Sequence, residues 1–377
     1  MEADFRARDN EQVIARVLQV LTLLAVLYVF FCSIELMGGT FKLFGKGFAD
    51  QLIRTTSNKI VGLFIGILAT SLIQSSSSTT SIVVGLVAGG ALTIENAIPI
   101  IMGANVGTSV TNTIVSLGHI TRKEEFRRAL AGATIHDFFN LLAVAVLLPL
   151  EILTGFLHKM AGFLQVQFAN VGGMTLFNPL KTIVKPVTQF LESLLLETIG
   201  FSKVTAGIIL LILALVLLFI SLKKFVDIMK KVISGRVETV LQSVLFQSAW
   251  RSFLVGIALT AFVQSSSITT SLIVPLIGGG ILTVEQFFPY TLGANIGTTV
   301  TAILAALVTQ NPAAVTVAFA HLSFNVCGTA IFYPLRIIPI TLAKKLGNVA
   351  AERRWVAIVY ILVVFFAIPL GLILITR

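Results

Sequence analysis

Gln74-Ser75-Ser76-Ser77-Ser78-Thr79-Thr80 places seven hydrogen-bonding side chains in a row, yet the chain on either side, 61–73 and 82–87, is mostly apolar. The pattern then recurs at Gln264-Ser265-Ser266-Ser267-Ile268-Thr269-Thr270, with similar apolar flanks. A polar strip buried in an oily chain is costly unless every group finds a partner. Two such strips, 190 positions apart, point to one site built from two halves.

The chain around the strips belongs in a bilayer. Of 377 residues, 56% are hydrophobic and 12% charged, about half the ~25% charged residues of a typical soluble domain. The net charge of +10 then marks Lys and Arg in cytoplasmic loops. No basic face remains for a nucleic-acid partner once the apolar spans are removed. Cys32 and Cys327 lie in apolar segments and suggest neither a disulfide framework nor a metal set.

Hydropathy predicts spans at 13–37, 94–117, 129–150, 204–222, 284–308, 313–335 and 355–376. The first reads as a retained helix, not a signal peptide, with a cytoplasmic start marked by Arg6, Arg8 and Arg16. Thr121 to Arg128, then Lys223, Lys224, Lys230, Lys231 and Arg236, then Arg336, Lys344, Lys345, Arg353 and Arg354 mark further cytoplasmic ends. The arms beside each strip are about 13 residues long, too short to span, so each strip is expected at the tip of a re-entrant hairpin.

The expected organisation is a cytoplasmic N-terminus at 1–12, a first repeat at 13–150 and an extracytoplasmic connector at 151–203. A second repeat at 204–335 and a cytoplasmic linker with a final span at 336–377 follow. Segments 66–112 and 256–302 align without gaps, with 25 identities in 47 positions. Gly103-Ala104-Asn105 and Gly107-Thr108 match Gly293-Ala294-Asn295 and Gly297-Thr298, and with a five-residue shift His136 and Asn140 match His321 and Asn325. The span count runs the copies in opposite directions. The fold class is therefore all-α and polytopic, an inverted-topology repeat with two re-entrant helical hairpins and interrupted transmembrane helices, an architecture of secondary transporters.

At a hairpin tip, helix N-termini offer N–H groups and partial positive charge to an oxyanion, and hydroxyl, amide and carbonyl oxygens suit Na+. Neither strip contains Lys or Arg. An anion there needs bound cations as counter-charge, a physical reason for coupling. The paired Gly-x-x-x-Gly patterns read either as close helix packing or as unwound segments aiming Asn105, Thr108, Thr111, Asn295, Thr298 and Thr301 at the tips; both can hold. Asp137 is an intramembrane carboxylate without a twin, Leu322 standing at the matching place. It reads as a cation ligand or as half of a pair with Arg or His. His136 and His321 read as hydrogen-bonded bundle residues, and Glu95 and Glu285 as helix-start residues.

Together the duplicated Gln-Ser-Ser-Ser strips, the Gly-Ala-Asn-Val-Gly-Thr-Ser-Val-Thr-Asn-Thr block and the run from Phe126 to Asn140 resemble the type II sodium-dependent phosphate cotransporters. The resemblance implies a Na+-coupled phosphate symporter working by alternating access, with no enzymatic activity and no cofactor beyond Na+ as coupling ion. Phosphate is expected at Ser75, Ser76, Ser77, Ser265, Ser266, Ser267, Asn105 and Asn295. Sodium is expected at Gln74, Thr108, Thr111, Gln264, Ser265, Thr298, Thr301, Asp137 and Asn140, and no transition metal. The implied partners are inorganic phosphate, Na+, membrane lipid and, as a candidate, a second copy of the chain. The resemblance departs at His119 and Arg122, and the animal proteins' large cysteine-bearing loop has no counterpart, which fits a bacterial member in the inner membrane. An anion channel with the same pore-lining strips is the alternative. A serine hydrolase is disfavoured by the absence of a G-x-S-x-G elbow.

Overall fold

A computed structural model describes residues 2–176, 178–233 and 248–376. Every described element is helical, and seven are long and apolar enough to cross a membrane: Val17–Leu43, Ile94–His119, Lys123–Thr154, Lys203–Ile228, Val284–Thr309, Pro312–Phe332 and Trp355–Ile375. Each overlaps a span read from hydropathy. The protein is an all-α polytopic membrane protein. Arg236, expected to mark a cytoplasmic end, lies outside the described residues.

In chain order, α1 (Glu2–Leu43) and α2 (Gly45–Thr55) lead into the first pair of short helices, α3 (Lys59–Ile73) and α4 (Ser76–Ala88). The long α5 (Ile94–Thr108) continues as α6 (Val110–Ser116), and α7 (Lys123–Thr154) follows. Three shorter helices, α8 (Phe156–Asn170), α9 (Gly173–Leu176) and α10 (Asn178–Ser193), lead to α11 (Lys203–Ile233). The second short pair is α12 (Ala249–Val263) with the broken arm α13 (Ser266–Ser271) and α14 (Val274–Gly278). Then come α15 (Val284–Thr309), α16 (Pro312–Phe332), α17 (Ile337–Glu352), α18 (Trp355–Leu362) and α19 (Ile368–Ile375).

Local chemistry sets the boundaries. Asn58 caps α3 by accepting from Ile60 and Val61 N–H, Thr93 caps α5, and Thr283 and Gln286 form a reciprocal capping box on α15. Asn311 caps α16 and Pro312 opens it, where a missing N–H costs nothing. The second arm breaks where the first does not. Pro275 has no N–H for the Ser271 carbonyl, whereas the first copy has Gly85 in its place.

Glycine sets the central packing. A Cβ on Gly66 would lie 2.0 Å from the Ile100 carbonyl oxygen, and one on Gly103 1.9 Å from that of Leu63. The second copy repeats this: Gly256 against the Tyr290 carbonyl at 2.3 Å and Gly293 against that of Phe253 at 2.1 Å. Backbone therefore touches backbone in α3/α5 and in α12/α15. These pairs sit inside the protein. Of the most apolar window, 78% is buried in both the α5 and α15 spans, against 22% in the final span and 28% in the first. The outer helices present apolar side chains such as Leu18, Leu21, Ile212 and Leu374 outward, as a lipid-facing rim does.

One expectation is corrected. The segments at Gly103–Thr108 and Gly293–Thr298 are not unwound: α5 is helical through Thr108, with a one-residue break at Ser109, and α15 is unbroken. The glycines serve close approach, and the i→i−4 ladder survives it. The described residues of 151–203 are largely helical, and α7 continues past Pro149 to a left-handed Gly155.

Gly103→Ala and Gly293→Ala are each expected to lower the melting point of the detergent-solubilised protein, by the equivalent of about 1–3 kcal/mol or more. Gly162→Ala, where the added Cβ meets nothing within 4 Å, is expected to match or exceed the native protein. Equal losses at all three positions would contradict the backbone-contact account.

Candidate functional site

The two strips fold alike. Gln74 (φ 56, ψ 29) and Gln264 (φ 57, ψ 26) end their helices in the left-handed region. Ser75 (φ −150, ψ 104) and Ser265 (φ −151, ψ 104) are then extended before the next helix. A left-handed non-glycine residue costs about 1–2 kcal/mol, so the surrounding structure holds these turns. Each Gln N–H bonds back at 2.7 Å, to the Thr70 or the Thr260 carbonyl. Paired hydroxyls pin the arms behind each turn: Thr70 to Thr79 at 3.0 Å and Thr260 to Thr269 at 2.8 Å.

The turns meet. Ser77 Oγ donates to the Gln264 carbonyl at 2.7 Å, across 187 residues of sequence. Ser267 Oγ donates to the Thr108 carbonyl at 3.3 Å, and Thr270 Oγ1 to Asn112 Oδ1 at 3.0 Å. Ser76, Ser77, Ser266 and Ser267 are buried, while Ser75 and Ser265 are half-buried. The copies also differ: Gln264 is buried and Gln74 is exposed. The Ser75 hydroxyl caps α4 at Ser78 N–H, whereas that of Ser265 makes no capping bond.

Beside the strips lies a buried lattice of Asn and His. His321 Nε2 pairs with Asn105 Oδ1 at 3.2 Å, and His136 Nε2 with Asn295 Oδ1 at 2.5 Å. Asn140 Nδ2 donates to the Asn105 carbonyl, and Asn325 Nδ2 to that of Asn295. Asn295 Nδ2 donates to Asn140 Oδ1 at 2.9 Å and links the two sets. Asn295, expected at the anion, thus directs both amide atoms into this lattice, and Asn105 directs its Oδ1 there while its Nδ2 donates to the Ile101 carbonyl at 2.9 Å. Each histidine, expected as a hydrogen-bonded bundle residue, reaches into the other half of the chain.

The matched threonines behave as pairs. Thr108 and Thr298 hydroxyls donate to the carbonyls four residues back, at 2.8 and 2.9 Å, and keep lone pairs free to accept. Thr111 and Thr301 hydroxyls are both buried with no protein partner. Asp137 is fully buried. Its Oδ2 accepts from Thr113 at 3.2 Å and Tyr360 at 3.1 Å, and Oδ1 has no protein partner. Among the described residues Asp137 forms no ion pair, so the reading as half of a pair is set aside. Tyr360 and Thr113 went unread from sequence. The one signal for Tyr360 was a lone hydroxyl in a strongly apolar final span.

His119 and Arg122 both converge on Glu125, at 3.1 and 3.0 Å, in the first turn of α7. Among the described residues no three His, Cys, Asp or Glu side chains gather as a metal-ligand set. What the site offers is oxygen: hydroxyls, carbonyls and one carboxylate, a set suited to hard cations, together with the α4 N-terminus, suited to an anion.

Comparison with known proteins identifies a family and several relatives. A family model described as Na+/Pi-cotransporter matches residues 29–177 and 217–376. Sodium-dependent phosphate transport protein 2B of Homo sapiens is 37% identical over 443 residues, covering 93% of this chain and 64% of the relative. Sodium-dependent phosphate transport protein 2A of Rattus norvegicus is 37% identical over 430 residues, covering 95% and 68%. The chain thus spans under two thirds of the length of the 2B relative. No solved structure matches the chain.

Gln264→Gly is expected to leave thermal stability within about 1 kcal/mol of the native protein, because relieved backbone strain offsets added chain entropy. Gln264→Val, β-branched at positive φ, is expected to destabilise by about 2 kcal/mol or more. Thermal melting in detergent checks both, and equal melting points would contradict a left-handed turn.

Proposed function

The chain belongs to the Na+/Pi-cotransporter family, and on that premise we propose that it is a Na+-coupled symporter that imports inorganic phosphate across the inner membrane. Phosphate sits between the two strip tips, against Ser75, Ser76, Ser77, Ser265, Ser266 and Ser267. The observation that carries this reading is the Ser77–Gln264 bond, which joins the two strips without any fixed cationic side chain of their own. A dehydrated phosphate there needs cations as companions, and that need couples its movement to Na+.

The sodium ions take the oxygen atoms of Gln264, Ser265, Thr298 and Thr301 in one copy. Gln74, Thr108 and Thr111 supply the matching positions in the other. The orphaned Thr111 and Thr301 hydroxyls support this assignment, since a buried hydroxyl without a partner is costly. Asp137, with Asn140, serves a further sodium, supported by its unpartnered Oδ1. Asn105 and Asn295 act less as direct phosphate ligands than as parts of the lattice that holds the strips.

The strips cap two re-entrant hairpins in oppositely inserted copies, 13–150 and 204–335. Three spans, those of α5, α7 and α11, separate equivalent points of the copies, and an odd number reverses direction. Arg6, Arg8 and Arg16 before the first span support a cytoplasmic N-terminus. Alternating access arises when sodium and phosphate bind one conformation better and shift the population.

In proteoliposomes, Ser76→Ala and Ser266→Ala are each expected to lower sodium-driven phosphate uptake by roughly tenfold or more, the scale of one charge-assisted hydrogen bond. Native rates in both variants would refute the site. Uptake is expected to be concentrative and to collapse with the sodium gradient; uptake that persists without that gradient favours a channel. Asp137→Asn keeps the shape while removing the charge, so the charge moved per phosphate is expected to change. An unaltered current-to-uptake ratio would remove Asp137 from the sodium sites.

A further inference from the structure

A cavity of about 410 Å3 lies apart from the strip tips. Its walls come from the start of α7, the far end of the second hairpin, the N-terminus of α15, and α17. Arg127, Arg128 and Lys344 line it against one carboxylate, Glu285, with Thr283 and Asn348 as neutral hydrogen-bonding groups. Lys344 pairs with Glu285, and Arg127 with Glu124 at 2.7 Å. Arg128 differs. Its Nε donates to the Gly278 carbonyl at 2.9 Å, which fixes the guanidinium at the wall, and among the described residues it forms no ion pair. The lining charge is three cations less one carboxylate, or +2.

We propose that this cavity binds a phosphate group, either that of an anionic lipid headgroup or free inorganic phosphate, with Arg128 as its principal donor. A guanidinium fork matches phosphate oxygens in geometry and charge. Basic pockets between spans on the cytoplasmic side attract anionic headgroups, and Ile277 and Leu282 give the cavity an apolar wall beside the charged one. Gly280 and Leu282 belong to the far end of the second hairpin, so an occupied cavity ties that hairpin to α7 and α17. The site is separate from the proposed transport site and does not require it.

The test uses the full chain carrying Ser266→Ala, in Na+-free buffer, so that the strip tips do not contribute. The protein is placed in nanodiscs of phosphatidylcholine alone or with added phosphatidylglycerol, and its melting temperature is read with and without inorganic phosphate. One of the two additions is expected to raise the melting temperature by several degrees. That rise is expected to vanish in Arg128→Gln and Lys344→Gln and to persist in Lys344→Arg. A rise with phosphatidylglycerol alone names the lipid, and a rise with phosphate alone names the free ion. The proposal is overturned if neither addition raises the melting temperature. It is equally overturned if the rise is unchanged in Arg128→Gln or, should that variant not fold, in Lys344→Gln.

Discussion

The structure depends on one constraint: polar side chains buried in an apolar body must satisfy one another. Neither strip meets that demand alone. Ser77 donates to the Gln264 carbonyl, Ser267 to the Thr108 carbonyl and Thr270 to Asn112, so each strip is completed by the other half of the chain. Glycine makes the approach possible. With any side chain at Gly66, Gly103, Gly256 or Gly293 the helices behind the strips could not touch backbone to backbone, and the turns would sit elsewhere. Packing and polar satisfaction are here the same problem, solved twice.

The two solutions are not identical, and the differences gather around the site. Pro275 breaks the arm that Gly85 leaves continuous. Gln264 is enclosed while Gln74 is open. Asn112 and Asp137 have Ala302 and Leu322 at the matching places. A symmetric frame thus holds an asymmetric set of oxygen atoms, with one negative charge on one side only. That carboxylate accepts from the Thr113 and Tyr360 hydroxyls through Oδ2, and its Oδ1 has no side-chain partner among the described residues.

Much of this was legible in the chain. The seven spans, the short arms, the duplicated strips and the buried lone Asp137 follow from hydropathy, spacing and the cost of burying charge. The glycine pattern was read correctly as close packing, but its second reading, local unwinding, failed at α15. Sequence reports that a glycine is tolerated, not which neighbour demands it, and only the Leu63 and Phe253 carbonyls decide that case. The cross-pairing of His136 with Asn295 and of His321 with Asn105 was out of reach, since contacts over 159 and 216 residues leave no local periodicity.

The most direct test of the central claim is calorimetric titration of the purified chain with inorganic phosphate, in Na+ and then in choline at equal ionic strength. The account predicts one phosphate per chain whose binding requires Na+, because an anion between two uncharged strips is tolerated only beside bound cations. Phosphate binding that is equally tight in choline, with no sodium-dependent component, would contradict it.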